Sequence, residues 1–242
     1  MIMKKFLALL LALTMLVAFA GCNNEETLPE GVMTHAEFDA AAMDSEITVY
    51  TYVQATQSWW NGAIRIYAQS KDGGYFIYDM ACTEEEAAKL VPGTKLEIKG
   101  FKGEWAGEVE VMDATFKILD GSWLATATDV TALMGTEDLA KHMNELVAFK
   151  GAVIAASTDA DGNEVPYLYK WDGSGSQGDD IYFNVTIGGA TYTFTVESYM
   201  VGNEATYAAV EALKIGEIVD LEGFLYWYNG AQPHITSVKV VG

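Results

Sequence analysis

The sequence predicts an all-β fold with short helices, arranged as two small five-stranded barrels in tandem behind an N-terminal targeting segment. Three observations carry that expectation. Apolar and polar residues alternate in runs of strand length. The same order of elements occurs twice along the chain. And a shift of 123 positions lays Leu90, Gly93, Gly100, Phe101 and Gly107 on Leu213, Gly216, Gly223, Phe224 and Gly230. Those identities fall in an 18-residue window, where background composition gives about one. Leu96 and Ile98 also fall on Val219 and Leu221, and Val111, Ala114 and Phe116 match Ile235, Val238 and Val240 after one insertion. Duplication of one unit explains the pattern.

The elements follow in order. Lys4 and Lys5 precede an apolar stretch from Phe6 to Ala20, too short for a comfortable membrane span and suited to a signal segment, so residues 1–21 are expected to be removed. Phe19-Ala20-Gly21-Cys22, followed by Asn23-Asn24-Glu25-Glu26, resembles the lipobox of bacterial lipoproteins, although Phe19 replaces the usual Leu. The resemblance implies lipid on Cys22 and anchoring at the outer face of the cell membrane; Ala18-Phe19-Ala20 also fits ordinary secretion. Residues 22–32 read as a tether. Cys82 then has no partner for a disulfide and reads as a small buried hydrophobe.

The first unit is placed at 33–120. A helix starts at Thr34, with Glu37 completing a capping box. Strands follow at 46–56, with Ile47, Val49 and Val53 on one face, at 63–70 with Ile64 and Ile66, and at 74–80 with Tyr75 and Ile77. A second capped helix begins at Thr83 with Glu86 and stops before Pro92-Gly93. Its acidic first turn, Glu84-Glu85-Glu86, complements the helix dipole. Strands at 94–103 and 107–119 close the unit. The second unit, 121–242, repeats this with a helix at 136–143, strands at 146–156, 180–187 and 190–198, a helix at 204–214, and strands at 217–227 and 232–241. Gly188-Gly189 marks a hairpin. An insertion at 157–179 separates its first two strands.

Three strands, a helix and two strands in about 75 residues is the order of the OB-fold, a closed Greek-key barrel. The chain resembles tandem OB-fold lipoproteins of bacterial cell envelopes, on element order and on stretches such as Asp72-Gly73-Gly74-Tyr75-Phe76 and Gly223-Phe224-Leu225-Tyr226-Trp227. The resemblance implies a fold and an address. Activity has to be argued from the site.

OB-folds bind extended ligands on the face of strands two and three, between the loop joining strands one and two and the loop joining strands four and five. Those loops carry Trp59, Trp60 and Trp105 in the first unit and Trp171, Trp227 and Tyr228 in the second. These six are the candidate ligand-binding residues. The competing expectation is that the rings plug barrel mouths or fill the seam between units. With 14 Lys plus Arg against 34 Asp plus Glu, the net charge is −20. That balance predicts against nucleic acid as a partner, because phosphate contacts need cations. Carboxylates at Glu104, Glu108, Asp172 and Asp179 crowd the same loops and can accept hydrogen bonds from sugar hydroxyls. A glycan or a protein is the expected ligand.

No catalytic residue, metal site or cofactor is expected. His35, His142 and His234 lack metal-ligand spacing, and no Walker A, nucleophile-elbow or H-E-x-x-H pattern occurs. Adjacent carboxylates such as Asp179–Asp180 do not provide the separation that glycosidase chemistry needs. Asp159, Asp161 and Asn163 resemble the start of a calcium loop, but Gly162 and Lys170 stand at the wrong places for one. The sequence therefore predicts a lipid-anchored, extracytoplasmic, non-catalytic binding module. The alternatives are a structural or protein-interaction role and an OB-fold nucleic-acid role.

Overall fold

The computed structural model describes residues 28–242. The signal segment, Cys22 and the start of the tether lie outside the described residues. The first unit opens with α1 (His35–Ala40), whose capping box is complete: the Thr34 hydroxyl accepts from the Glu37 N–H, and the Glu37 carboxylate accepts from the Thr34 N–H. Then come β1 (Glu46–Thr56), β2 (Ala63–Ser70), β3 (Gly73–Ala81), α2 (Glu84–Ala87), β4 (Thr94–Trp105) and β5 (Glu108–Ser122). The Thr83–Glu86 pair caps α2 in the same reciprocal way. The second unit has β6 (Leu146–Ala155), β7 (Ile181–Ile187), β8 (Ala190–Val196), α3 (Glu204–Glu211), β9 (Ile218–Phe224) and β10 (His234–Val240).

Both units close. In the first the strand order is β1-β2-β3-β5-β4, with β4 returning to β1. The second has the same order, β6-β7-β8-β10-β9, closed by pairing of β9 with β6 and of β7 with β6. Each barrel has its own core. Val49, Val53, Ile66, Ile77, Leu96 and Ile98 are among the residues filling the first. Phe149, Ile154, Phe183, Phe194, Val219 and Leu221 are among those filling the second. Alternation of inward and outward residues along each strand places these side chains inside.

The repeated residues do the same work twice. Gly93 and Gly216 both adopt positive φ (+92° and +88°) just before the fourth strand of their unit. Their N–H groups donate to Val53 and Ile154, the matching positions of β1 and β6, at 2.7 and 2.8 Å. Gly100 and Gly223 sit at irregularities in the pairing of strands four and five. A β-carbon on Gly100 would lie 2.7 Å from the Met112 carbonyl oxygen, and one on Gly223 would overlap the His234 carbonyl.

Two expected elements differ. The segment 136–143 forms a 3-10 helix over Glu137–His142 rather than an α-helix. Its Thr136 hydroxyl is turned back to the Leu133 carbonyl, at 2.8 Å, and caps nothing ahead of it. The insertion is not bare loop. Ser157–Thr158 pairs with Glu164–Val165, and Leu168–Tyr169 adds to the edge of β7. Within it Asp159 accepts from the N–H groups of Asp161 and Asn163, so its carboxylate serves the turn. Among the described residues no three of His, Cys, Asp and Glu gather as a metal site.

Candidate functional site

The face of β2 and β3, the usual ligand surface of such a barrel, is covered in the first unit at Tyr67 and Phe76, while its end at Arg65 and Asp79 stays open. Tyr67 and Phe76 project from it and are buried against Met200 and Phe224 of the second unit. Tyr67 stacks on Phe224 with centroids 4.5 Å apart and planes 11° from parallel, and Phe76 meets Tyr226 edge-on at 5.4 Å. Polar groups are enclosed with these rings. The Tyr67 hydroxyl donates to Glu197 at 3.1 Å, His234 Nδ1 lies 3.3 Å from the same carboxylate, and Gln57 donates to it from the first unit. Burial pushes the Glu197 carboxyl up. His234 and the hydrogen bonds from Tyr67 and Gln57 outweigh burial and hold it below its ordinary value.

The two loops joining strands four and five also meet. Asn229 donates its N–H to the Ala106 carbonyl at 2.7 Å, and Trp227 donates its N–H to Glu108 Oε2 at 2.7 Å. Gly107 turns at φ +90°, and a β-carbon there would sit 2.9 Å from the Trp227 indole. Glu108 is fully enclosed at this junction. Its second oxygen, Oε1, and the Oδ1 of Asn144 have no hydrogen-bond partner. Desolvation raises the Glu108 carboxyl to about 8.

In the second unit the equivalent strand face stays open. A groove of about 740 Å³ runs between β8, the loop joining β9 and β10, and the 3-10 segment. Trp227 and Tyr228 supply rings, and Thr191, Thr193, Asn229 and Gln232 supply neutral polar groups. Glu137 is the one charged residue of its lining. Thr193 donates to Asn184 on the neighbouring β7 at 2.8 Å, which fixes the orientation of both side chains. Tyr228 is 50% exposed. Trp227 is half-buried and leans on the second core.

A second groove of about 650 Å³ is lined by Trp59, Trp60, Arg65 and Asp79 of the first unit and Tyr199 of the second. Trp59 is held in place by its indole N–H, which donates to the Cys82 carbonyl at 2.9 Å. Trp60 is 82% exposed.

The six candidate aromatics are therefore not equivalent. Trp59 and Trp60 share one groove, and Trp227 and Tyr228 share another. Trp105 is 63% exposed, one residue before the Ala106–Asn229 contact. Trp171 is 70% exposed on the insertion and belongs to neither groove. The remaining tryptophan, Trp123, packs edge-on against Tyr52. Tyr199, Thr193 and Gln232 are groove residues that loop position did not single out. The outward threonines of β8 were available as an alternating pattern, whereas Tyr199 reaches its groove only through docking of the units.

No protein-family model matches the chain, and no curated protein matches it. Solved structures of similar strand arrangement exist at low identity. A murine DNA-binding protein bound to double-stranded DNA is 10% identical, with 81% of this chain and 98% of that chain covered and a TM-score of 0.37. A tetrameric p202 HIN2 is 9% identical, with 83% and 96% covered and a TM-score of 0.34. A replication protein A heterotrimer bound to single-stranded DNA is 8% identical, with 87% and 69% covered and a TM-score of 0.27. The likeness concerns fold. The expectation that net charge tells against nucleic acid as a partner finds no support in these structures, two of which are themselves bound to DNA. Net charge averages over the whole surface, and recognition is decided in a groove.

Proposed function

We propose that the chain is a non-catalytic binding module, anchored through Cys22 at the extracytoplasmic face of the cell membrane, that takes an extended, neutral ligand in the open groove of the second barrel. A glycan is the ligand class argued first. The observation carrying this reading is the asymmetry of the two strand faces: the middle of one is covered by docking at Tyr67 and Phe76, and the other remains open beside two aromatic rings. Trp227 and Tyr228 offer apolar faces to the C–H side of a sugar ring. Hydroxyls and carboxamides at Thr191, Thr193, Asn229 and Gln232 supply donors and acceptors for its hydroxyls.

A second reading uses the same rings. Base stacking tolerates any sequence, and strand faces of this fold accept oligonucleotides as well as oligosaccharides, so a single-stranded oligonucleotide is the rival ligand for this groove.

The experiment is calorimetric titration of the purified protein with cello-, xylo-, manno- and chitotetraose, and in parallel with a twelve-nucleotide dT strand. Tyr228→Ala should weaken tetraose binding roughly 5- to 30-fold without altering the melting temperature. Binding of the dT strand in place of every sugar would move the assignment to the rival, and no response to Tyr228→Ala would remove the groove from consideration.

A further inference from the structure

The groove at the seam between the units has features that docking alone does not require. Trp60 is 82% exposed and Tyr199 is 65% exposed, and they come from different units to line one depression. Two large rings left in water on one groove make an apolar surface that the fold itself does not cover. The same groove is lined by a set of planar polar groups. Arg65 Nε donates to Asp79 Oδ1 at 2.8 Å, and Arg65 Nη1 donates to Gln57 Oε1 at 3.2 Å. The guanidinium carbon stands 4.7 Å over the Tyr78 ring. Gln57 is oriented in turn by donating its amide to the buried Glu197 of the second unit. A chain of hydrogen bonds thus runs from the enclosed interface, through Gln57 and Arg65, to Asp79 at the groove.

That chain fixes a donor and an acceptor next to each other before any ligand arrives, which lowers the ordering cost of binding. The Arg65 charge is matched by Asp79, so the pair does not favour a phosphate or a carboxylate. Adjacent ring hydroxyls are the complementary group, because one can accept from a guanidinium N–H while its neighbour donates to a carboxylate. We infer that the seam groove is a second carbohydrate subsite, assembled only when the units dock, which takes one pyranose ring by its face on Trp60 or Tyr199 and by two neighbouring hydroxyls on Arg65 and Asp79. The inference shares its ligand class with the proposal for the open groove but shares none of its residues, so either can fail alone. With both subsites filled by one polymer, each contact raises the effective concentration of the other.

The test is the stoichiometry of tetraose binding by calorimetry and native mass spectrometry on the whole protein. Two tetraoses per chain are expected for the wild type and one for the Trp60→Ala, Tyr199→Ala double variant, with the melting temperature unchanged because both rings are exposed. Tyr228→Ala should keep the seam site at full affinity and weaken the other roughly 5- to 30-fold. Trp60→Phe, which keeps a flat ring, should retain the second site within about fivefold. A single wild-type site weakened by Tyr228→Ala and untouched by the double variant would overturn the seam assignment and leave the open groove standing. A single site abolished only by the double variant would do the reverse. Two sites persisting in the double variant, binding of the dT strand at Trp60 in place of sugar, or no tetraose binding at all would each overturn the inference.

Discussion

Glu108 is the residue on which the junction of the two loops turns. One carboxylate oxygen accepts from Trp227, the other makes no hydrogen bond of good geometry although the Asn144 amide beside it acts to lower the group, and the Asn144 carbonyl oxygen is unmatched. Two buried acceptor oxygens without a well-formed hydrogen bond are costly. A proton on Glu108 supplies the missing donor, and burial, which raises the group to about 8, works in the same direction. The sign follows. A carboxyl whose folded value lies above its unfolded one binds more protons when folded, so its contribution is complete below about 4.5 and falls away as the pH rises through about 8. Glu108→Gln carries a permanent donor toward Asn144 and keeps an acceptor for Trp227. The variant should gain stability over wild type by on the order of a few kcal/mol at pH 9 and by little at pH 4, measured as the difference in melting temperature across that range. A difference that stays constant with pH would show that folding does not shift the Glu108 carboxyl. Glu197 titrates oppositely, because its carboxyl is held low; its contribution is present above the unfolded value and is lost at acid pH in both proteins, so it cancels in the comparison.

At the scale of elements, the duplicated glycines separate two roles that look alike in sequence. Gly216 has open space around a β-carbon and needs only its positive φ, whereas Gly223 lies against the His234 backbone. Alanine at 216 should therefore cost about 1 kcal/mol. Alanine at 223 should cost 3 kcal/mol or more, on the order of a large core truncation, because backbone must move. Thermal or urea unfolding of the two variants checks the ranking, and equal losses would contradict the close approach of strands nine and ten. The strands were legible because each is half-buried and alternates, and both helix starts because Thr34–Glu37 and Thr83–Glu86 write their caps locally. The sequence predicts a helix at 136–143, and the structure tightens it to a 3-10 segment whose Thr136 hydroxyl bonds backward to Leu133. Grooves were less legible. A loop position brings Trp59 and Trp60 to a barrel mouth, but it cannot say that Tyr199 completes their groove, or that Tyr67 and Phe76 forfeit the neighbouring face to the other unit. Those facts depend on contacts between residues about 130 or more positions apart.

For the whole molecule, the duplication is conserved in architecture and broken in use. Phe101 and Phe224 occupy the same position of the repeat, yet Phe101 is 37% exposed on the outside of the first barrel and Phe224 is 2% exposed against Tyr67. The second unit thus turns onto the first a surface that the first leaves in water. Docking also encloses Glu197 and His234 and braces Gln57, so the units are expected to unfold together, in one calorimetric transition. Phe224→Ala removes the stacked ring from the middle of that contact and should cost about 3–5 kcal/mol, splitting the transition as the barrels lose their coupling. Phe101→Ala, chemically the same change at the matching site, should cost less than about 1 kcal/mol and leave one transition. Because the seam groove takes Tyr199 from one unit and Arg65 from the other, Phe224→Ala should also abolish tetraose binding at the seam while sparing the open groove, whose rings Trp227 and Tyr228 and threonines Thr191 and Thr193 all belong to the second barrel. A single transition retained in Phe224→Ala would mean that the barrels do not depend on this interface for their cooperation, and loss of both sites together would mean that the open groove also depends on docking, through the Trp227–Glu108 and Asn229–Ala106 bonds.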